Sequence, residues 1–461
     1  MVQKVYFIDT SVVLHDPSSV EKLSSGGNIV VFSVYVLFQL DKAKKDMESS
    51  VGFNSRAISR LLDECVKRGR LNRGVSTESG GLIIADASAH EEIFKKELLG
   101  VEKTVDTRII ASAISWKKKH KDEKQKVVVV SKDINLRVAA NIFEVFAEDY
   151  ESDKKIKRLD ELYTGLREIT LPDKDANHLL TDLPRLGSLS LKILSPESNE
   201  LLEELYPNQC LVITIAGKTV LAIYKKKKRE LVWVKKPRLA SGGEKKKSDD
   251  IAPRNIEQAF EYALLCDKEI AIVALSGKAG TGKTLISLLA ATEQLGDYNQ
   301  VLVYRPTIEM GKELGFRPGD LGEKFAPFTR PILDNLELIS PEFVKKPEYN
   351  SDGIAQYCNG MLEIHPINFA RGRSLHSMYV IIDEVQNLTR IQTKSLLTRA
   401  GENTKCVLTG DCSQIDNPYL DAVSNGLAIT IERLKGQEFF GCIMLRKSER
   451  CDVVDMITEL L

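Results

Sequence analysis

The chain has 461 residues, 43% of them apolar, and a formal net charge of zero. That length exceeds one ordinary domain and suggests two or three, and the apolar content excludes a disordered protein. Neutral charge argues neither for nor against a nucleic-acid partner, because local basic clusters bind phosphate under a neutral total. The eight cysteines are scattered, with no C-x-x-C pair and no Cys/His spacing for zinc, and read as thiols of a reducing cytosol. The amino terminus enters a strand pattern at once, and no apolar run is long enough to span a bilayer. A cytoplasmic protein with no membrane partner is the expectation.

Residues 5–8 form a short apolar strand, and Asp9 stands where it ends. Residues 29–36 are a second apolar run leading into a charged helix, and 54–68 have helical spacing, with Ile58, Leu61, Leu62 and Cys65 on one side. Asp106 opens a helix over 106–113, and 127–130 is a buried strand followed by Ser131-Lys132-Asp133. Strands alternating with helices predict a parallel α/β sheet whose ligands gather at the carboxyl ends of the strands. Asp9 and Asp133 then share one edge, with Asp106 nearby. Converging carboxylates repel unless a cation neutralises them, and oxygen ligands suit Mg²⁺ or Mn²⁺. Such a site activates water and stabilises the leaving oxygen of a phosphodiester. The alternative is that Asp9 caps a loop, Asp106 is a helix N-terminal acid and Asp133 makes a turn. Spacing alone divides the two evenly.

Residues 151–187 are mixed, and strand-like runs follow at 188–193, 210–215, 220–224 and 230–234, with a turn at Ala216-Gly217-Lys218. A basic block at 225–229, with Trp233 close by, is either an RNA-contacting surface or a solvated turn, and the turn is favoured. Residues 236–253 read as a linker.

The run 270–276 leads into Gly277-Lys278-Ala279-Gly280-Thr281-Gly282-Lys283-Thr284, followed by a helix over 285–295. Strand, G-x-x-x-x-G-K-T and helix together predict binding of ATP or GTP. Loop N–H groups and the helix dipole favour the phosphates, Lys283 reaches the β- and γ-phosphates, and Thr284 ligates Mg²⁺. Gln258, one helix upstream, could read the adenine edge or be an ordinary surface residue. A strand at 378–382 ends in Asp383, which would hold Mg²⁺ through water, and Glu384, which would orient or deprotonate the attacking water. Gln414, beyond a strand at 405–408, is placed to sense the γ-phosphate. Arg446 or Arg450 could stabilise transition-state charge, and Arg450 is preferred as the finger. A small-molecule kinase is the weaker alternative, since an acid pair and a later glutamine suit hydrolysis better than transfer.

Several of these stretches resemble known families. Ile8-Asp9-Thr10-Ser11, Asp106 before Arg-Ile-Ile-Ala, Ser131-Lys132-Asp133-Ile134-Asn135 and Ala147-Glu148-Asp149-Tyr150 are similar to the acidic motifs of PIN-domain ribonucleases. Gln39 departs from that pattern, standing where the family has a metal-facing acid; Asp41 or Asp149 are the nearby substitutes. Pro253-Arg254-Asn255-Ile256-Glu257-Gln258, the phosphate loop, Arg305-Pro306, Gly315-Phe316-Arg317, Ala370-Arg371-Gly372-Arg373, Asp383-Glu384-Val385-Gln386-Asn387 and Thr409-Gly410-Asp411-Cys412-Ser413-Gln414 resemble PhoH-like ATPases in order. Arg317, where relatives often have leucine, is a minor departure. The resemblance implies a PIN–PhoH fusion of α/β class: a PIN-like parallel α/β sandwich over 1–150, a linker and small β subdomain over 151–252, and a RecA-like P-loop ATPase over 253–461. It further implies an ATP-dependent RNA helicase coupled to a Mg²⁺- or Mn²⁺-dependent endoribonuclease, single-stranded RNA as partner, and a homo-oligomer such as a hexameric ring. Arg305, Arg371 and Arg373 would face nucleotide or RNA. The competing expectation, supported by Gln39, is an RNA-dependent ATPase whose PIN domain only binds RNA or a partner.

Overall fold

The computed structural model describes residues 3–45, 50–120, 125–150, 156, 158–237, 251–306, 321–344, 348–349, 355–358, 360–370, 374–417 and 420–449. Two compact units divide the chain, Met1–Lys154 and Lys155–Leu461.

In the first unit the strands are β1 (Gln3–Ile8), β2 (Ile29–Ser33), β3 (Val75–Ser76), β4 (Leu82–Asp86), β5 (Gln125–Val130) and β6 (Phe146–Glu148), in the order β3-β4-β2-β1-β5-β6. Only the short β3–β4 pair is antiparallel. β1 pairs with β5 along its whole length, from Gln3 against Gln125 to Ile8 against Val130. The four valines of 127–130 and all of β2 are buried, as a sheet covered on both faces requires. Each such side chain removed from water is worth roughly 1.5–3 kcal/mol. The helices used below are α1 (Thr10–His15), α2 (Val34–Ala43), α3 (Ser50–Arg68), α4 (Val105–Lys119) and α5 (Ile134–Ile142). The apolar run at 29–36 does not stay extended to its end. Ser33 accepts a hydrogen bond from the Tyr35 N–H and starts α2, so Val34 and Val36 are helical despite their branching.

The second unit opens with a five-stranded sheet: β7 (Leu166–Thr170), β8 (Ser188–Ser190), β9 (Gln209–Ile215), β10 (Lys218–Lys225) and β11 (Glu230–Val234), ordered β7-β9-β10-β11-β8. Ala216 and Gly217, at φ 47° and 70°, make the tight β9–β10 turn. The basic block lies at the β10–β11 tip, and the chain itself occupies it. Lys226 Nζ donates to the Leu205 carbonyl at 2.9 Å, Lys228 pairs with Glu269 at 2.5 Å, and Arg229 pairs with Glu203. Lys225 is buried against Asp267 and Asn208 Oδ1.

A larger sheet follows: β12 (Ile272–Gly277), β13 (Gln300–Arg305), β14 (Glu348–Tyr349), β15 (Ala355–Tyr357), β16 (Leu362–Pro366), β17 (Met378–Ile382), β18 (Lys405–Gly410) and β19 (Phe440–Leu445). Its order is β14-β15-β16-β13-β17-β18-β12-β19, parallel from β16 to β19. The carboxyl ends of β12, β13, β17 and β18 therefore share one edge. Helices α6 (Ile256–Cys266) and α7 (Lys283–Glu293) pack together beside it. Lys405, 2% exposed, reaches under α6 and donates to the carbonyls of Leu264, Asp267 and Ile270 at 3.1, 2.7 and 3.0 Å. A lysine at a helix C-terminus satisfies orphan carbonyls and matches the dipole.

The two sheets of this unit are joined. Asn208 Nδ2 donates to the carbonyls of Glu438 and Phe440 at 2.7 and 2.9 Å, and the Met444 N–H donates to the Thr164 carbonyl at 2.8 Å. A Cβ on Gly165 would stand 1.8 Å from the Cys442 carbonyl oxygen, so only glycine permits that approach. Leu221, Ile223 and Val234 of the smaller sheet share one core with Phe260, Leu264 and Ile443.

Candidate functional site

A cleft of about 740 Å³ lies on the shared edge, lined by Gln258, Lys283, Thr284, Arg305, Asp383, Glu384, Asp411 and Gln414 among others. Gly277 ends β12, and Lys278, Ala279, Gly280, Thr281 and Gly282 form the turn between it and α7. The first glycine is required by its neighbour, since a Cβ there would come within 2.4 Å of the Leu445 carbonyl oxygen. Gly282 stands at φ 94° with a Cβ position 2.6 Å from Gln258 Nε2. Lys283 Nζ donates to the Gly277 and Lys278 carbonyls at 2.5 and 2.9 Å. Burial pulls its pKa below the ordinary lysine value, while Asp411, Asp383 and Glu384 act in the opposite direction. A cationic amine, a helix N-terminus and a glycine turn together fit a triphosphate.

Asp383, buried, accepts from Thr409 Oγ1 at 2.5 Å and lies 3.6 Å from Arg305 Nη1. Glu384 adopts φ 54°, ψ 41°, an uncommon left-handed conformation for a non-glycine residue. Its carboxylate accepts from Gln386 Nε2 at 2.6 Å and lies 3.5 Å from Arg305 Nη2. Burial, then the neighbouring Asp383 charge, pushes its pKa above the usual carboxylate range, as suits a base for water. Gln386, which sequence reasoning passed over, is a hub. Its Nε2 also donates to the Gln414 carbonyl at 3.0 Å, and its Oε1 accepts from the Asp411 N–H at 3.1 Å. The Gln414 side chain is exposed at the cleft.

Gln258 sits at this cleft with its amide already engaged. Nε2 donates to the Thr281 carbonyl at 2.9 Å and Oε1 accepts from the Arg254 N–H at 2.8 Å, so it braces the phosphate loop. The segment after β19 is docked on the same loop and on α6: the Glu449 N–H donates to the Gly280 carbonyl at 3.0 Å, and the Arg446 N–H to Glu257 of α6 at 2.7 Å. Arg450, Arg371, Arg373 and the stretch 315–320 lie outside the described residues.

Beneath the loop, Glu261 of α6 is fully buried with neither carboxyl oxygen partnered. Burial pushes its pKa well above the ordinary value, with only the Lys283 charge acting the other way. For an acid raised on folding, stability is complete below the unfolded pKa and is lost as pH rises toward the folded one. Glu261→Met is therefore expected to stabilise this unit at neutral pH, by roughly 1–3 kcal/mol for an orphaned buried group. Thermal melts from pH 5 to pH 8 check it, with the gain growing as pH rises.

In the first unit, Asp9 follows β1 and caps α1. Its Oδ1 accepts from the Thr10 N–H at 2.6 Å, and Oδ2 accepts from the Ser11 and Ser131 hydroxyls at 2.5 and 2.7 Å. Asp133, exposed, caps α5 by accepting from the Asn135 N–H at 2.7 Å. Asp106 lies half-buried in the first turn of α4. Burial, then Asp9, then Asp133 raise its pKa, so the three acids are near enough to repel. They are not drawn into a closed ligand set. Among the described residues no three His, Cys, Asp or Glu side chains are grouped closely enough to hold a metal ion. Two of the acids, Asp9 and Asp133, are turned into helix caps. Asp106's uncompensated charge still fits a divalent cation, which with Asp9 and Asp133 would supply activated water. Gln39 accepts from Thr10 Oγ1, one residue along from Asp9. Asp41 pairs instead with Lys44 at 3.6 Å and Asp149 with Arg137 at 3.7 Å.

The PIN domain family matches residues 6–151 and the PhoH-like protein family matches 250–461. Protein PhoH2 of Bacillus subtilis is 34% identical, with 100% of both chains covered. The chain belongs to the PhoH2 proteins. Those of Thermobispora bispora and Mycolicibacterium smegmatis are each 30% identical, covering 99% of this chain and 96% and 97% of their own. The PIN–PhoH fusion expected from the motifs is thus met, as is the α/β class with a P-loop ATPase domain at the C-terminal side. This PIN–PhoH protein joins domains of classes that use ATP and divalent metal. Among its described residues no helix is long and apolar enough to cross a membrane.

Proposed function

We propose that the chain is an ATP-dependent RNA helicase coupled to a Mg²⁺- or Mn²⁺-dependent endoribonuclease. The observation that carries the motor half is Glu384: strained, held by Gln386, pushed toward the neutral acid and set beside Asp383 and Lys283. In this reading Lys283, Thr284 and Mg²⁺ hold the triphosphate, and Glu384 takes a proton from the attacking water. Gln386 bonds both the base and the Gln414 segment, so loss of the γ-phosphate would be felt where Gln414 meets solvent. RNA moved by the motor would reach Asp9, Asp106 and Asp133, with the divalent cation supplying activated water. Self-association belongs to the same reading, because an arginine finger from a neighbour requires one.

A second reading, an RNA-dependent ATPase whose PIN domain only binds, is favoured by Gln39 and by the capping roles of Asp9 and Asp133. The deciding experiment incubates single-strand-tailed RNA with Mg²⁺ or Mn²⁺, with and without ATP. ATP turnover that rises with RNA, together with metal-dependent fragments, is the expected result. Stimulation without fragments selects the second reading. Turnover indifferent to RNA but responsive to small molecules overturns both.

A further inference from the structure

Asp411, at the end of β18, is not accounted for by the roles above. β18 lies between β17, which carries Asp383, and β12, which carries the phosphate loop. Asp411 is 8% exposed and lines the cleft with Lys283 and Asp383. Its two oxygens differ. Oδ1 accepts from the Ser413 N–H at 2.9 Å and the Ser413 hydroxyl at 2.6 Å, an ordinary turn. Oδ2 is buried and has no partner.

Two cations that line the cleft make their close contacts elsewhere. Arg305 lies between Asp383 and Glu384, and Lys283 Nζ donates to two loop carbonyls. Asp411 thus leaves one carboxylate oxygen without a hydrogen-bond donor at a cleft where a triphosphate would bring further negative charge. A buried charge facing an anion is unfavourable unless a cation stands between them. Mg²⁺ takes oxygen ligands and retains several waters when bound by one or two carboxylates and phosphate.

We propose that Asp411 is an additional holder of the nucleotide's divalent cation, its free Oδ2 accepting from the ion's retained water or reaching the ion itself. The proposal rests on the reading of this cleft as an ATP site. Asp411 is a positioning residue for the cation alongside Thr284 and Asp383, and Gln386 fixes it through its backbone N–H.

The test is binding of a fluorescent ATP analogue to the full chain, titrated with Mg²⁺ and separately with EDTA. Asp411→Asn is expected to weaken Mg²⁺-supported binding about 10–100-fold, the usual cost of losing an outer partner of a metal, and to leave metal-free binding unchanged or tighter. Ser413→Ala, which removes one turn bond and leaves Oδ2, is expected to keep the Mg²⁺ dependence of wild type. Should Asp411→Asn not fold by its melting curve, Asp411→Ser keeps a turn-forming oxygen without a second carboxylate oxygen and takes its place. Equal losses with Mg²⁺ and with EDTA, or a loss reproduced by Ser413→Ala, overturn the proposal in favour of a role in the loop itself. Failure of wild type to bind the analogue would overturn the ATP-site reading as well, and wild type alone reveals it.

Discussion

Replacing Lys283 by alanine is expected to lower ATP turnover by on the order of 10²–10³-fold or more, the scale on which one preorganised charge stabilises a transition state. The amine is directed at the phosphate loop's own turn, through the Gly277 and Lys278 carbonyls. Nucleotide would exchange for those carbonyls, so the variant would lose both the loop's brace and the charge proposed to meet the β- and γ-phosphates. Burial already holds the amine's pKa below its ordinary value, so it is poised to gain from an anionic partner. Steady-state ATP turnover with and without RNA measures the loss. Undiminished hydrolysis would remove the motor assignment. Because Glu261 lies beneath with Lys283 as its one opposing charge, a melting curve of the variant separates a stability effect from a catalytic one.

Asp106→Asn is expected to reduce metal-dependent RNA cleavage at least about 100-fold, again the scale of a single electrostatic group at a reaction centre. No hydrogen bond from Asp106 is seen among the described residues, unlike Asp9 and Asp133, which serve as caps. The substitution therefore changes charge with little change in local structure. The same variant has a second, opposite signature. Asp106's pKa is raised on folding by burial and by its two acidic neighbours, so its contribution falls as pH rises through the folded value. Removing the charge should raise the melting temperature of the metal-free protein at neutral pH while shrinking the further rise that Mg²⁺ or Mn²⁺ produces. Cleavage equal to wild type, or no cleavage by either protein under any metal, would end the nuclease half. RNA binding that survives the change then belongs to a domain that binds without cutting.

The sheets were legible because their strands are unbroken apolar runs: the four valines before Ser131, residues 29–33 and the strand before Asp383 announce themselves. The phosphate loop was legible because glycine, lysine and threonine at fixed spacing have few other uses. What stayed hidden depends on neighbours distant in sequence. Lys405 reads as an ordinary charge at a strand start, yet it caps a helix well over a hundred residues earlier. Glu261 looks like one polar position of an amphipathic helix, and only packing shows that it has nowhere to put its charge. Gln386 and Asp411 stand in recognisable strings, but the bonds that tie one to Glu384 and leave the other's Oδ2 bare are not written in spacing. Ser33 lies inside an apolar run, and only the fold shows that it caps a helix there. At Gln39 the departure from the acidic pattern was plain, whereas its bond to Thr10 needed the fold.

The join between the two sheets of the second unit bears on how the protein can be taken apart. Sequence similarity to PhoH-like proteins begins at residue 250, but the folded interior does not. Severing the chain there would strip the Glu438 and Phe440 carbonyls of Asn208, take Lys225 from Asp267, and bare the apolar flank around Phe260 and Leu264. An excised motor fragment starting at that residue would carry an open wound along β19, so dissection of this protein into working parts belongs near residue 155 instead.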